Sequence, residues 1–254
     1  MTSVASADER GESTERVLSN LRREGASEDE LALLSGAARE VRRLDAAFRP
    51  YLPSVVTEGI RAVAPDVARL GGEEREVSVV FADLAGFTTF SETRSPTEVI
   101  GMLNEYWGAV VPVIDAAGGV IEQFAGDGVM AIFNAGADQP DHATRAARTG
   151  LAIVAAGRPL AAVHPDWPVF RVGVNTGPAV VGNVGSDARR SFAAIGDATN
   201  TAARLMAIGE PGQVVVGRAT WDALGANRAG QPLGAVRVKG KRAPVEAWRL
   251  SDRQ

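Results

Sequence analysis

A chain of 254 residues with 45% hydrophobic content has material for one large domain, or for one domain with an accessory segment. Its 27 basic and 31 acidic residues leave a net charge of -4, which argues against nucleic acid as the main partner but leaves room for the local basic cluster that one triphosphate needs. There is no cysteine and there are only two histidines, His142 and His164, so disulfides, thiolate zinc sites, cysteine nucleophiles and His-rich metal centres are excluded.

The opening MTSVASADERGESTER is polar and acidic and lacks the apolar centre of a signal peptide. No run approaches the roughly 20 apolar residues of a membrane span. The Ala-rich stretch from Ala143 to Val163 is interrupted by Arg145, Arg148 and Arg158. A soluble cytoplasmic protein is the expectation.

Residues 1–14 read as a disordered tail, small, polar and without periodicity. From Val17 to Phe48 the pattern is helical. Leu31, Leu34, Ala38, Val41 and Leu44 recur at three- and four-residue steps, a narrow stripe suited to packing on another element or on a second copy. Pro50 and Pro53 break this helix. A short helix over Ser54–Leu70 then leads to a Gly71-Gly72 hinge, where the domain boundary is expected. The reading is a helical extension over 15–72 and a main domain over 73–254.

The main domain alternates strands and helices. VSVVFA, residues 77–82, is a continuous apolar run suited to a buried central strand. Val99, Met102, Leu103, Tyr106, Trp107 and Val110 form a helical face. GGVIEQFAGDGVMAIF reads as a β-hairpin turning at Gly126-Asp127-Gly128. A helix over His142–Ala156 follows, then a long strand over Phe170–Val181 expected to be interrupted near Gly177-Pro178. Ser191–Ile195 reads as a strand and Asp197–Ala207 as a helix. Val214–Val216 and Ala235–Val238 read as short strands separated by a helix. The order β-α-β-β-α-β with later additions is an α+β, ferredoxin-like arrangement.

That topology makes the end of the first strand a neighbour of the hairpin turn, so Asp83 and Asp127 converge at one sheet edge. Taken singly, each is an ordinary turn or cap residue; the joint placement carries the functional reading. Paired carboxylates suit Mg²⁺ or Mn²⁺, which also take substrate phosphates as ligands. After Asp83 comes Leu84-Ala85-Gly86-Phe87-Thr88. Gly86 permits close approach of a phosphate, and the N–H groups at the following helix start, at Phe87 and Thr88, favour an anion. Asn200 and Arg204 are four apart in DATNTAARL and share a helix face, an amide and a guanidinium fork suited to a sugar and a phosphate. In VKGK, Lys239 and Lys241 flank Gly240 after a strand; either is also an ordinary edge-strand charge.

The stretches VSVVFADLAGFTTFSE, IEQFAGDGVMAIF, RVGVNTGPAVVGNVG, AAIGDATNTAARL and VKGKRAPVEAW resemble, in order, the successive motifs of class III adenylate and guanylate cyclases over about residues 73–250. The resemblance implies a homodimer with active sites shared between chains, a nucleoside triphosphate substrate and two Mg²⁺ or Mn²⁺ per site. Asp83 and Asp127 match the family's metal-binding aspartates, with Leu84 beside the first. Asn200 matches the ribose-orienting asparagine and Arg204 the arginine at the reacting phosphate. Lys239, with Lys241 as competitor, is similar to the lysine on the terminal phosphates. Of the family's two purine-reading positions, the first is usually Lys in adenylate and Glu in guanylate cyclases and is Gln123 here; the second is commonly Asp, Thr, Ser or Cys and is Ala193 here.

The resemblance implies production of a 3′,5′-cyclic monophosphate and pyrophosphate, with ATP favoured and GTP or a pyrimidine triphosphate as alternatives. An inactive cyclase-like dimeric sensor is a rival that intact Asp83, Asp127, Asn200 and Arg204 oppose. A polymerase-like palm domain is another, which lacks support because no GGDEF-like turn is present.

Overall fold

A computed structural model describes residues 7–61, 69–241 and 243–251. The chain divides into two compact units, residues 1–52 and 53–254.

In the first unit, α1 spans Ala7–Arg23 and α2 spans Glu28–Phe48. The single helical pattern expected from Val17 to Phe48 is therefore split. Gly25 takes a left-handed φ of 97°, and Ser27 starts α2 with a capping box, its hydroxyl accepting from the Glu30 N–H while the Glu30 carboxylate accepts from the Ser27 N–H. The tail expected through residue 14 is corrected as well, because α1 begins at Ala7; Ala, Glu and Arg favour helix, and acidic residues suit a helix N-terminus. Residues 1–6 of that tail lie outside the described residues. Of the apolar stripe only Leu31 is buried, whereas Leu34, Val41 and Leu44 are exposed.

The second unit opens with α3, Ser54–Arg61, whose Val55 joins the core. The remainder of the helix expected to Leu70 falls mostly on residues 62–68, outside the described residues. The elements that follow are β1 (Gly71–Ala85), α4 (Phe87–Glu92), α5 (Pro96–Ala116), β2 (Val120–Ala125), β3 (Gly128–Phe133), α6 (His142–Val163) and β4 (Val169–Gly185). They continue with β5 (Arg190–Ile195), α7 (Asp197–Ile208), β6 (Val214–Gly217), α8 (Arg218–Ala223), β7 (Gly230–Val236) and β8 (Val245–Leu250). The sheet runs β2-β3-β1-β4-β6-β8-β7, with β5 also on β4. Its first four strands are the expected βαββαβ core. Pairing is antiparallel except between β4 and β6.

Three expectations are corrected here. Gly71 and Gly72 form no hinge: they begin β1 and pair with Asn183 and Gly182, and a Cβ on Gly72 would lie 2.5 Å from the Val181 carbonyl oxygen. No break occurs at Gly177-Pro178, because β4 keeps β1 as its partner throughout. On its other edge β6 stops at Val174 and β5 starts at Val180, which is where a residue without an N–H is tolerated. The strand expected at Ala235–Val238 is shifted to Gly230–Val236, and β8 was not foreseen.

β1 is covered on both faces, as its unbroken apolar run requires. Val80, Ala82 and Leu84 pack with α5 and α6 residues such as Met102, Tyr106 and Ile153. Val77 and Val79 face the other way, with Met130, Ile132, Ala194 and Ala202 of α7. Gly173 lets α7 lie directly on the sheet, since a Cβ there would be 2.2 Å from the Ala202 oxygen. The polar exception, Ser78, is satisfied by Nδ1 of His142 at 2.9 Å and the Thr176 hydroxyl at 2.7 Å.

Candidate active site

Antiparallel register brings the carboxylates together. Asp83 is the direct cross-strand partner of Gly128 in β3, and Asp127 immediately precedes that glycine at the hairpin tip. The tip is a two-residue turn, with Ala125 paired to Gly128 and Gly126 at a φ of 64°. The Asp127 carboxyl is pushed up by burial first and by the charge of neighbouring Asp83 second. Its own backbone N–H and Arg171 pull it back down. Two adjoining carboxylates held in this way attract a cation.

On the other side of β1, Asp83 pairs with Arg171 in β4. The Arg171 Nε and Nη2 both donate to Asp83 Oδ2, at 3.0 and 2.8 Å. Sequence reasoning missed Arg171; the signal available was a cation inside the apolar run FRVGV. The Leu84 side chain is buried in the core, so only its backbone faces outward chemistry. Gly86 sits at a φ of 90° at the head of α4, with open space where a side chain would be. Phe90 N–H closes the first turn onto the Gly86 oxygen, leaving Phe87 and Thr88 as the leading residues of that short helix.

A second cluster forms on α7. Ala198, Thr201, Ala202 and Leu205 are buried against the sheet, which turns Asn200 and Arg204 outward together. The Arg204 guanidinium rests on Gly240, Nη2 lying 3.1 Å from where a Cβ would stand. The loop of Lys239 and Lys241 therefore adjoins Arg204. Lys241 is ion-paired with Asp197, whereas Lys239 is exposed and makes no ion pair among the described residues. No hydrogen bond or ion pair among the described residues joins this cluster to Asp83 and Asp127.

Gln123 is exposed on β2, and Ala193 pairs with Gly182 on β5. Between them runs a contact that sequence reasoning did not foresee: Glu122 Oε2 accepts the Ala194 N–H at 3.1 Å. Among the described residues there is no cluster of three or more His, Cys, Asp or Glu able to hold a metal. The oxygen pair of Asp83 and Asp127 nonetheless suits a hard divalent ion whose remaining ligands are water and substrate phosphates. No helix of the described residues is long and apolar enough to cross a membrane.

Known proteins resemble this chain in sequence and in fold. Adenylate cyclase 1 of Rhizobium meliloti (strain 1021) is 33% identical over 231 residues, covering 87% of this chain and 34% of that protein. The chain thus spans about a third of the length of the curated relatives it matches. The adenylyl cyclase CyaB from P. aeruginosa superposes with a TM-score of 0.68 at 28% identity, covering 73% of this chain and 98% of that one. The guanylyl cyclase Cya2 does so with a TM-score of 0.65 at 32% identity, covering 71% and 94%. Residues 72–252 match the adenylate and guanylate cyclase catalytic domain, and this chain belongs to that family.

Proposed function

We propose that the chain cyclises a nucleoside triphosphate, ATP by preference, to its 3′,5′-cyclic monophosphate with release of pyrophosphate, in the cytoplasm where such substrates are made. The convergence of Asp83 and Asp127 at the hairpin tip carries this reading. Divalent ions bound there would acidify the ribose 3′-hydroxyl and offset the charge of the triphosphate. Asp83, Asp127 and the Leu84 backbone would hold them. Arg171 keeps a guanidinium beside the carboxylates, where it balances their charge before substrate arrives.

The α7 cluster supplies the complementary half. Asn200 would orient the ribose, which lowers the barrier by fixing the attacking oxygen in line with the α-phosphate. Arg204 would neutralise charge that develops there, and exposed Lys239 would hold the terminal phosphates. A homodimer, the assembly that the resemblance to class III cyclases implies, would give each site Asp83 and Asp127 from one protomer and Asn200 and Arg204 from its partner.

Base preference is the open choice. Relatives named for adenylate and guanylate cyclisation both match, and Gln123 can donate or accept while Ala193 can do neither through its side chain. GTP is therefore the second reading. Turnover of ATP, GTP, CTP and UTP with Mg²⁺ and with Mn²⁺ tests the proposal; a well-folded protein that cyclises none of them overturns it.

A further inference from the structure

The hairpin strand β2 contains one irregularity. Ile121 pairs with Ala131 and Gln123 with Met130, so Glu122 is an extra residue with no cross-strand partner. Such a bulge places neighbouring side chains on one side of the strand and re-aims them. The contacts agree. Ile121 packs in the core beneath α5, and Phe124 stacks on Trp107 of α5 with ring centroids 5.1 Å apart. Glu122 and Gln123, between them, both belong to the opposite side, the side on which β5 lies.

There the Glu122 carboxylate meets the Ala194 N–H at 3.1 Å. The contact is partly buried, and burial pushes the Glu122 carboxyl up while the Ala194 N–H pulls it down. Ala194 shares a core cluster with Val120, Met130 and Phe192, so the Glu122 hydrogen bond ties β2 to β5 beside common apolar packing. A backbone N–H donating to a partly buried side-chain oxygen is a specific tie, since it leaves an unpaired donor when the acceptor is lost. Its two ends are the residue before Gln123 and the residue after Ala193.

We infer that Glu122 is a positioning residue for nucleotide selection: through the bulge and the Ala194 N–H it fixes the spacing between Gln123 and Ala193, the two positions that flank the base. This rests on the cyclase reading above. Glu122 touches no reacting atom, so its loss loosens base recognition and leaves the metal carboxylates and α7 in place.

The test compares Glu122→Gln, which keeps both reach and an acceptor, with Glu122→Asp, which keeps the charge but is one methylene short. Glu122→Ala removes both. For each, kcat and KM are measured on the four triphosphates, with the amide exchange rate of Ala194 read alongside. Glu122→Asp and Glu122→Ala are expected to raise KM for the best nucleotide about three- to tenfold, the worth of one hydrogen bond, and to shrink its kcat/KM advantage over the next. In both, kcat stays within about twofold and the Ala194 amide exchanges faster; Glu122→Gln stays near wild type on every measure. If Glu122→Ala fails to fold, the Asp and Gln pair decides. Equal losses on all four nucleotides, or an unchanged preference in Glu122→Asp despite faster Ala194 exchange, overturns the inference. Should wild type cyclise no nucleotide, the cyclase reading fails instead, and Ala194 exchange still reports whether Glu122 makes the tether.

Discussion

Arg171 and Asp83 are direct cross-strand partners on β4 and β1, and the guanidinium places two N–H groups on a single carboxylate oxygen. The pair sits at the edge of the site, about one-third and one-fifth exposed respectively. With Asp127 adjoining Asp83, Arg171 is the cation that balances two negative groups in the metal-free protein. Arg171→Met should therefore destabilise that form by about 1–2 kcal/mol, an amount between exposed and buried charged pairs. Added Mn²⁺ should recover more thermal stability in the variant than in wild type. Equal melting temperatures without metal would show that solvent already screens the carboxylates.

Asp83→Ala and Asp127→Ala should each abolish turnover while the protein stays folded, because both residues are only partly buried, at the end of β1 and at the hairpin tip, outside the apolar core. Circular dichroism and a cyclase assay at saturating Mn²⁺ measure the two halves of this expectation. Substantial turnover in either variant removes that aspartate from the metal site.

Asp127 gives a pH signature of its own. Its carboxyl titrates above the ordinary value because burial and Asp83 penalise the ionised form. A raised acid pKa in the folded state means that the fold pays for ionisation: the penalty is full above the folded pKa and vanishes below the unfolded one. Asp127→Asn should then melt higher than wild type at pH 7–8 without metal, with the gap closing as pH falls through Asp127's raised pKa. Thermal melts from pH 8 to pH 4 check this. A gap that widens on acidification would reverse the assigned sign.

Local pattern made the scaffold readable. The unbroken apolar run of VSVVFA marked a strand covered on both faces, and Gly126-Asp127-Gly128 between two apolar runs marked the hairpin that brings Asp127 to Asp83. The four-residue spacing of Asn200 and Arg204 likewise translated into one outward helix face. What stayed hidden depends on partners distant in sequence. Arg171 meets Asp83 across 88 positions, and Glu122 meets Ala194 across 72, through a bulge visible only once β2 and β3 are in register. Pro178 reads as a strand breaker until the gap between β6 and β5 shows that no partner there needs its N–H.

The proposed sharing of sites between two protomers predicts complementation. Asp83→Ala and Arg204→Ala proteins are each expected to be inactive, since one lacks a metal carboxylate in both sites and the other lacks the guanidinium in both. In a mixed C2 dimer one site collects both defects and the other collects neither, so random exchange should restore about a quarter of wild-type activity. Subunit exchange is verified with differently tagged protomers. Exchange without recovery would place the whole site within one chain.

Base selection is the most informative measurement. Gln123 can rotate its amide to present a donor or an acceptor, and Ala193 offers no side-chain hydrogen bond. A single hydrogen bond changes binding by about 0.5–1.5 kcal/mol, so discrimination built on Gln123 alone should be roughly three- to tenfold. Wild type should thus show measurable turnover of a second nucleotide beside its best one. Gln123→Lys combined with Ala193→Asp restores the residue types usual in adenylate cyclases, and should raise the kcat/KM ratio of ATP over GTP by at least that factor. The two positions flank the Glu122 tether, so both substitutions are made together and compared with each single variant to expose coupling. A wild-type preference above about a thousandfold would exceed what Gln123 can supply by this reckoning and would assign base reading to other groups.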